Sequence, residues 1–287
     1  MKMDKNNPMK LKPGETLDVI LGDSLQLIQS GSGYRFSIDA LLLAAFVEPR
    51  KGERVAELGT GSGVIALIIA RFFPVREVIG IEVQASLLDR AGRNIRLNGL
   101  ADRVRLVRGD IKRIRRLAEG GGFNLVIFNP PFRSAREGRI NPDPEKAVAR
   151  HQLRAGLREF LDAAFFLLRN SGRLDFIYPA AKLAELIFEL RRRRLEIKRL
   201  RLVHSRKSSP GVLALVEARK GAGMELEILP PLYLFQNRGN KYTREVREII
   251  NGNYFRRRAR KLKSPPPGRR PYGSEISPPL LKGGGGI

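Results

Sequence analysis

Cysteine and tryptophan are absent from this 287-residue sequence, and histidine occurs only as His151 and His204. Without cysteine the chain forms no disulfide bond, carries no thiolate nucleophile and offers no thiolate ligand to a metal. Two histidines are too few for a histidine-rich metal centre, so we expect no metal site. The lack of disulfides is typical of a cytoplasmic protein, and we predict that location.

Long apolar runs and acidic residues are also scarce. The longest apolar runs, Ala40–Val47 and Val64–Ala70, are far shorter than the roughly 20 residues that span a bilayer. The first fifteen residues are polar, so we expect no signal peptide and no membrane partner. Acidic residues number 29 against 54 basic ones, which leaves a net charge of +25. Such a charge favours a polyanionic partner, because a basic surface attracts phosphate backbones.

The stretch that organises the chain is Asn129-Pro130-Pro131-Phe132, which ends the apolar run Phe123–Phe128. The run predicts a buried strand, and two prolines force a stiff turn after it. This turn suits a flat molecule with an exocyclic amine. Asn129 and the Pro130 carbonyl would accept the amine hydrogens, and Phe132 would stack on the ring. The same residues are also a plain strand terminator, and this motif alone leaves both interpretations open.

A glycine loop lies upstream. The strand Arg54–Leu58 runs into Gly59-Thr60-Gly61-Ser62-Gly63, and a helix follows from Val64 to Phe73. Strand, glycine loop and helix together are typical of a site for a nucleotide-like ligand. A dinucleotide fingerprint needs glycine at its sixth position, which is Val64 here. Glycines at 59, 61 and 63, preceded by Glu57, favour an adenosyl amino acid over a pyrophosphate.

Two acids follow the next strands. The second strand, Glu77–Ile81, ends at Glu82, nineteen positions beyond Gly63, where an acid can bind a ribose diol. A helix over Ala85–Leu97 leads to the third strand, Val104–Arg108, which is followed by Asp110. We expect Asp110 to accept a hydrogen bond from an adenine amine.

The rest of the chain continues to alternate. We predict helices over Leu157–Arg169 and Ala181–Arg193 and strands over Arg173–Tyr178, Arg199–His204 and Val212–Ala218. This order predicts an α/β fold: a doubly wound, mostly parallel sheet with helices on both faces and an antiparallel edge strand.

We divide the chain into four parts. Residues 1–50 are an N-terminal hairpin and lid helix, and residues 51–220 are the catalytic domain. Residues 221–255 form an appendage, and residues 256–287 a basic Pro/Gly-rich tail that we expect to be disordered.

These motifs, in this order and spacing, resemble class I S-adenosylmethionine-dependent methyltransferases that act on amino nitrogens. Three further blocks resemble the bacterial tRNA(Val) adenine-N6 methyltransferases. They are Gly33–Leu43, then Ile140–Pro142 with Ala149–His151, and Arg199–Leu215 with Tyr242-Thr243 and Glu245. The match covers roughly residues 15–255. Many adenine-N6 enzymes end the motif in tyrosine, and the phenylalanine at 132 is also common in guanine-N2 enzymes.

The resemblance implies a Rossmann-like seven-stranded fold, S-adenosylmethionine as cofactor and an anticodon-loop adenine of tRNA as substrate. It implies a catalytic role for the four motif residues 129–132. The cofactor would contact Glu57, the glycine loop, Glu82, Asp110 and, on the methionine side, Arg35 and Asp39. Guanine-N2 methylation of ribosomal RNA, glutamine-N5 methylation of a protein, and RNA binding without catalysis remain alternatives.

Basic side chains near these motifs are candidate phosphate contacts, because an RNA substrate presents its backbone beside the target base. The candidates are Arg133, Arg136, Arg139, Lys112–Arg116, Arg201, Arg206 and Lys207. We expect His151 to be structural rather than a catalytic base.

Overall fold

The structure, a computed structural model, describes residues 11–32, 35–130 and 156–263. Within these ranges the strands are β1 (Glu15–Ile20), β2 (Leu25–Ser30), β3 (Arg54–Leu58), β4 (Glu77–Glu82), β5 (Val104–Arg108), β6 (Phe123–Phe128), β7 (Leu168–Pro179), β8 (Leu195–His204), β9 (Gly211–Lys220), β10 (Glu227–Ile228) and β11 (Leu232–Tyr233).

The helices in the same ranges alternate with these strands along much of the chain. They are α1 (Ile38–Phe46), α2 (Val64–Phe72), α3 (Ala85–Leu97), α4 (Leu157–Leu167), α5 (Leu183–Arg191), α6 (Arg244–Ile250) and α7 (Asn253–Lys263). Two short 3₁₀ segments cover Ile111–Arg116 and Ala180–Lys182. No helix in the described ranges is long and apolar enough to cross a membrane.

One large sheet forms the centre of the fold, with strand order β5-β4-β3-β6-β7-β9-β8. All neighbours from β5 to β7 are parallel, and β9 is antiparallel to both β7 and β8. The predicted mostly parallel sheet with an antiparallel strand near its edge is therefore confirmed. The two-residue strands β10 and β11 extend the sheet beyond β8, and β1 and β2 form a separate antiparallel hairpin.

Helices cover both faces of the sheet. Residues of α1 and α2 pack with Val55, Leu125 and Ile127 in one apolar core. Residues of α4 and α5 pack in a second core against side chains of the opposite face, such as Val126 and Phe128. The alternation of the two cores along β3 and β6 follows from the two-residue period of a strand. Because both faces are covered, these strands are almost continuously apolar.

Element boundaries differ from the prediction at several places, and the junction of α4 and β7 differs most. Helix α4 ends at Leu167, and β7 begins at Leu168, because Leu168 is buried and pairs with Phe123 of β6. A register shift then passes over residues 169–172, where Ser171 has a φ of 58°. The polar residues 169–171 are exposed in this irregular stretch. Because they interrupt the apolar pattern, the sequence predicts that the strand begins only after them.

The larger difference concerns the predicted tail. Helix α7 runs through residues 256–263, which we had expected to be disordered. Its arginines act as structural anchors. Arg256 donates to the Leu21 carbonyl at 2.7 Å, and Arg258 donates to the carbonyls of Ala45 and Val47 at 3.0 and 2.9 Å. Phe255 is fully buried and stacks on Phe72. Residues 264–287 lie outside the described ranges.

Candidate active site

Three predicted motifs meet at the carboxyl edge of the sheet. In the register of the strands, Leu58 of β3 lies beside Ile81 of β4 on one side and Phe128 of β6 on the other. The residues that follow these strands are therefore neighbours: the glycine loop, Glu82 and Asn129. This edge is where open α/β sheets bind their ligands.

The glycine loop has a backbone that other residues adopt poorly. Gly59, Gly61 and Gly63 have φ angles of 68°, 58° and 87°, in the left-handed region. The N–H groups of Gly59 and Thr60 donate to the Ile81 carbonyl at 2.8 and 3.1 Å, which holds the loop against β4. The loop then leads directly into the N-terminus of α2.

Glu57 supports this loop from inside the protein. One carboxyl oxygen accepts from the Thr60 hydroxyl at 2.6 Å and from the Ala66 N–H at 3.0 Å. Burial raises the pKa of Glu57 to about 8, against the opposing effect of these hydrogen bonds. The structure thus places Glu57 beneath the loop, where it holds the loop to the first turn of α2. Gly80 on β4 leaves room for the loop, since a Cβ there would lie 2.9 Å from the Thr60 methyl carbon.

Glu82 is also buried, and its carboxylate accepts hydrogen bonds from backbone N–H groups. The donors are Gly61 at 2.9 Å, Val83 at 3.0 Å and Gln84 at 2.9 Å. Burial raises the pKa of Glu82, and the three hydrogen bonds partly oppose the rise. Glu82 therefore connects the end of β4 to the middle of the glycine loop.

Asp110 lies beside Glu82 at the next strand end. The Gly109 N–H donates to the Glu82 carbonyl at 3.0 Å, and Asp110 follows at the start of a 3₁₀ segment. One Asp110 carboxyl oxygen accepts from the Lys112 N–H at 2.9 Å. Glu82 and Asp110 are thus brought to one edge, as the motifs predict.

Asn129 is half-buried at the end of β6, and Pro130 after it is buried. No residue in the described ranges hydrogen-bonds to the Asn129 side chain. The strand end is held by aromatic packing, because the ring centroids of Phe128 and Phe176 are 4.6 Å apart and those of Phe128 and Phe160 are 5.1 Å apart. The remaining motif residues and the following loop lie outside the described ranges, and with them Pro131, Phe132, Arg133, Arg136, Arg139 and His151.

Arg35 contacts the N-terminal hairpin. It donates to Thr16 Oγ1 at 3.0 Å and pairs with Asp18 at 2.5 Å. Asp39, in the first turn of α1, accepts from the Ser37 hydroxyl at 3.1 Å, and burial raises the pKa of Asp39. That Arg35 and Asp39 line the methionine side of the cofactor stays a prediction.

Two of the candidate phosphate contacts are held by internal interactions instead. Arg201 forms a two-pronged ion pair with Glu245, at 2.7 and 2.9 Å, so it connects β8 to α6. Arg206 donates to the Gly239 carbonyl and to Asn240. Lys207 is exposed, as expected for a side chain that meets a ligand in solution.

Sequence reasoning missed the roles of two asparagines: Asn94 on α3 and Asn98, which follows the last residue of α3. Asn94 is fully buried; its Oδ1 accepts from the Ile28 N–H at 2.7 Å, and its Nδ2 donates to the carbonyls of Ile28 and Ser62 at 3.1 and 3.0 Å. Asn98 bonds in the same two-pronged way to Gln26. Asn94 therefore joins the hairpin, α3 and the glycine loop. The only signal in the sequence is a pair of amides spaced four residues apart on one helix face.

Comparison with known proteins agrees with this site. Residues 35–178 match the family model of the methyltransferase small domain. The chain belongs to the methyltransferase small-domain family. The match includes the glycine loop, Glu82, Asp110 and the Asn129 motif. The candidate cofactor-binding and catalytic residues of this methyltransferase therefore lie within the matched region.

Relatives with assigned names point to one activity. The tRNA1(Val) (adenine(37)-N6)-methyltransferase of Porphyromonas gingivalis strain W83 is 31% identical over 195 residues, which are 66% of this chain and 73% of that protein. A protein of the same name from Tolumonas auensis is 26% identical over 237 residues, covering 79% and 93%. The predicted resemblance to the tRNA(Val) adenine-N6 methyltransferases is therefore confirmed.

Solved structures support the fold. A predicted O-methyltransferase of Agrobacterium tumefaciens aligns with a TM-score of 0.60 at 24% identity, covering 75% of this chain and 96% of its own. The TYW2 protein of M. jannaschii, solved with AdoMet, aligns with a TM-score of 0.51 at 18% identity, covering 74% and 88%. These similarities confirm the predicted Rossmann-like class I fold.

The residues at the sheet edge fit S-adenosylmethionine, the cofactor of this methyltransferase. The buried Glu82 and the half-buried Asp110 offer carboxylate oxygens, which suit ribose hydroxyls and an adenine amine. The left-handed glycines allow a ligand to approach the backbone closely, and the N-terminus of α2 suits its carboxylate. In the described ranges no group of three or more His, Cys, Asp or Glu side chains is arranged to hold a metal ion.

Proposed function

We propose that this protein methylates N6 of an adenine in tRNA, using S-adenosylmethionine, and that its target is the anticodon-loop adenine of tRNA(Val). The observation that carries the proposal is the position of Asn129. Its side chain emerges from β6 beside the glycine loop and has no hydrogen-bond partner in the described part of the chain. The names of the relatives support tRNA as the substrate, and we propose the cytoplasm as the location because the sequence has no cysteine.

The chemistry required is to make a poor nucleophile reactive. The lone pair of an adenine amine is delocalised into the ring. Asn129 Oδ1 and the Pro130 carbonyl would each accept one amine hydrogen, which draws the nitrogen toward tetrahedral geometry and frees its lone pair. Phe132 would hold the base by stacking. After methylation the nitrogen loses a proton to water.

The cofactor, when bound, supplies an electrophilic methyl group on a sulfonium, so no covalent enzyme intermediate is required. Glu82 and Asp110 would bind its ribose and adenine, and the loop 59–63 its methionine end. Orientation of the amine by Asn129 is the main contribution of the chain, and fixed geometry of this kind is worth roughly 7–11 kcal/mol. The target base must leave its stack, which is easier in an anticodon loop than in a duplex.

The experiment uses purified protein, total tRNA from a strain that lacks this gene, and methyl-labelled S-adenosylmethionine, followed by nucleoside analysis. We expect labelled N6-methyladenosine confined to one tRNA species. Labelled N2-methylguanosine in ribosomal RNA, or a labelled glutamine side chain in a protein, would replace the proposed substrate with one of the alternatives.

A matched pair of variants tests Asn129. Asn129→Ala should lower the turnover by about 10²–10³-fold and leave cofactor affinity within about twofold, because the side chain acts on the amine. Asn124 lies at the other end of the same strand, where it accepts from the Arg54 N–H at 2.9 Å. Asn124→Ala should keep the activity. Equal activity of the two variants would contradict the role of Asn129.

A further inference from the structure

Two segments beyond β8 lie at the same sheet edge as Asn129. They are the turn of residues 205–210, between β8 and β9, and the loop of residues 234–242, which follows β11. Strand β8 is antiparallel to β9, which is antiparallel to β7, so β8 ends at the carboxyl edge of the parallel sheet. Strand β11 runs parallel to β8 and ends beside it. Because β8 and β11 lie three and four strands from β6, these segments are offset from Asn129 by about 14 and 19 Å in the direction across the strands.

Arg206 holds the two segments together. One of its terminal nitrogens donates to the Gly239 carbonyl at 2.8 Å and to Asn240 Oδ1 at 3.0 Å. The guanidinium lies 5.5 Å from the ring centroid of Phe235, which stacks on Tyr242 at 5.1 Å. These contacts fix the conformation of the polar loop of residues 234–242.

Residues of the third block that resembles the tRNA(Val) adenine-N6 methyltransferases hold the loop of residues 234–242 in place. Thr243 donates its hydroxyl to the Tyr233 carbonyl at 2.7 Å, and its N–H donates to the Leu234 carbonyl at 2.9 Å. The ion pair between Arg201 and Glu245 fixes the start of α6 to β8. These residues lie beyond β8, away from the cofactor site, and the catalytic proposal gives them no function.

Three cations project from this structure: Lys207, Arg238 and Lys241 are exposed. None of them forms an ion pair with a residue in the described ranges. Glu245, the acid in the third block, is already paired with Arg201. The two segments therefore present positive charge that no acidic residue in the described ranges compensates.

We propose that these residues form a platform that binds the phosphate backbone of the RNA whose base is methylated. We define the rim platform as Arg206, Lys207, Phe235, Arg238, Lys241 and Tyr242. The inference rests on the proposed function. Exposed Lys and Arg side chains on a rigid support are typical phosphate contacts, and contacts of this kind position an RNA without reading its sequence. In this platform Arg206 is the positioning residue, and Lys207, Arg238 and Lys241 bind phosphate.

The test compares two double variants of equal charge. Arg238→Ala/Lys241→Ala removes one arginine and one lysine from the rim platform. Lys51→Ala/Arg76→Ala removes the same pair from exposed positions before β3 and β4, at the opposite sheet edge. Binding of total bacterial tRNA is measured by fluorescence anisotropy over a series of salt concentrations.

We expect the platform variant to bind tRNA about tenfold more weakly at about 0.1 M salt. The magnitude of the negative slope of log K against log[salt] should decrease by about 1–2, because two phosphate contacts are lost. The control pair should change the Kd less than twofold, and cofactor affinity should be unchanged in both. Equal weakening by the two pairs, or no weakening by the platform pair, would overturn the inference.

A second variant separates position from charge. Arg206→Lys keeps the charge but cannot reproduce the planar guanidinium that bonds to the loop and stacks on Phe235. We expect it to weaken tRNA binding several-fold, and wild-type affinity would overturn its positioning role. If tRNA binding depends on the platform but tRNA is not methylated, the proposed function fails and the platform stands. If tRNA is methylated and the Arg238→Ala/Lys241→Ala variant binds tRNA as tightly as the wild type, the inference about the rim platform fails and the proposed function stands.

Discussion

One row of the central sheet carries three buried carboxyl groups, and two of them, Glu57 and Asp175, differ in their surroundings. In the register of the strands Glu57 of β3 lies beside Ile127 of β6, Ile127 beside Asp175 of β7, and Asp175 beside Glu217 of β9. The side chains of one register row point to the same face of the sheet. All three carboxyls are nearly or fully inaccessible to solvent.

Glu57 and Asp175 differ in the partners of their carboxyl oxygens. Glu57 accepts two hydrogen bonds from the glycine loop and α2, whereas both Asp175 oxygens are without a hydrogen-bond partner in the described part of the protein. Arg173, which precedes Asp175 on β7, is paired with Glu53 at 2.6 Å. Glu217 is paired with an arginine of β8 at 3.1 Å.

The pKa is nevertheless similar at the two positions. Burial and, to a lesser extent, the neighbouring Glu217 raise the pKa of Asp175 to about 8. Burial also raises the pKa of Glu57 to about 8. A raised pKa therefore does not by itself identify a functional carboxyl. What separates the two is that Glu57 holds a segment of the cofactor site and Asp175 does not.

The largest expected effect comes from removing Glu57. Glu57→Ala leaves the Thr60 hydroxyl and the Ala66 N–H unpaired and opens a cavity, so we expect a loss of about 2–5 kcal/mol in the free energy of unfolding. Cofactor affinity should fall by about 30-fold or more, since each lost support of the loop costs about 1–3 kcal/mol. Denaturant unfolding and calorimetric titration with S-adenosylmethionine measure the two effects.

Glu57→Gln is the control for this variant. With a pKa of about 8, the Glu57 carboxyl is mostly protonated at pH 7 and a glutamine amide can replace it. We expect stability within about 1 kcal/mol of the wild type. A glutamine variant as damaged as the alanine variant would show that the loop requires a charged carboxylate.

A smaller effect is expected from Asn94 and Asn98. Asn94→Ala and Asn98→Ala each remove a two-pronged contact with β2, but only Asn94 also bonds to the glycine loop. Both should lower the free energy of unfolding by about 1–3 kcal/mol. Cofactor affinity should fall about tenfold for Asn94→Ala alone, as one loop support of about 1.4 kcal/mol is lost. An equal fall in both would mean that the hairpin, and not the loop contact, sets the affinity.

The smallest effect on function is expected at Asp175. Its folded-state pKa lies above the unfolded value near 4, so the folded protein binds the extra proton between these values. The contribution of Asp175 to the free energy of unfolding is therefore greatest below about pH 4, and it is lost as the pH rises toward 8. Asp175→Asn should reduce this decline and be more stable than the wild type by about 1–2 kcal/mol at pH 8.

The measurement is denaturant unfolding of the wild type and Asp175→Asn between pH 5 and pH 9, with cofactor titration as the control. Glu57 contributes a decline of the same sign, so part of the pH dependence should remain. Cofactor affinity should stay within about twofold, because the Asp175 carboxyl forms no hydrogen bond to the glycine loop. A weakened cofactor affinity would contradict the distinction between Glu57 and Asp175.

Local sequence signals determined the elements that position the site. The strands β3, β5 and β6 and the helix α3 lie where short apolar runs and their glycine or proline endings predict them. These signals act between residues close together in the chain, so the order of motifs and the Rossmann-like fold are readable without coordinates. The placing of the glycine loop, Glu82, Asp110 and Asn129 at one edge follows from that fold.

Only the tertiary structure decided which distant side chains meet. The register that aligns Glu57, Asp175 and Glu217 depends on pairing between strands whose partner residues lie up to 70 positions apart, and it brings into one row residues that lie up to 160 positions apart. The bonds from Asn94 to the hairpin and the loop join three elements, and no periodicity encodes them. The helix over residues 256–263 forms because Phe255 finds an apolar partner and Arg258 finds free carbonyls at the end of α1. Packing supplies these partners, and a basic local sequence without them resembles a disordered tail.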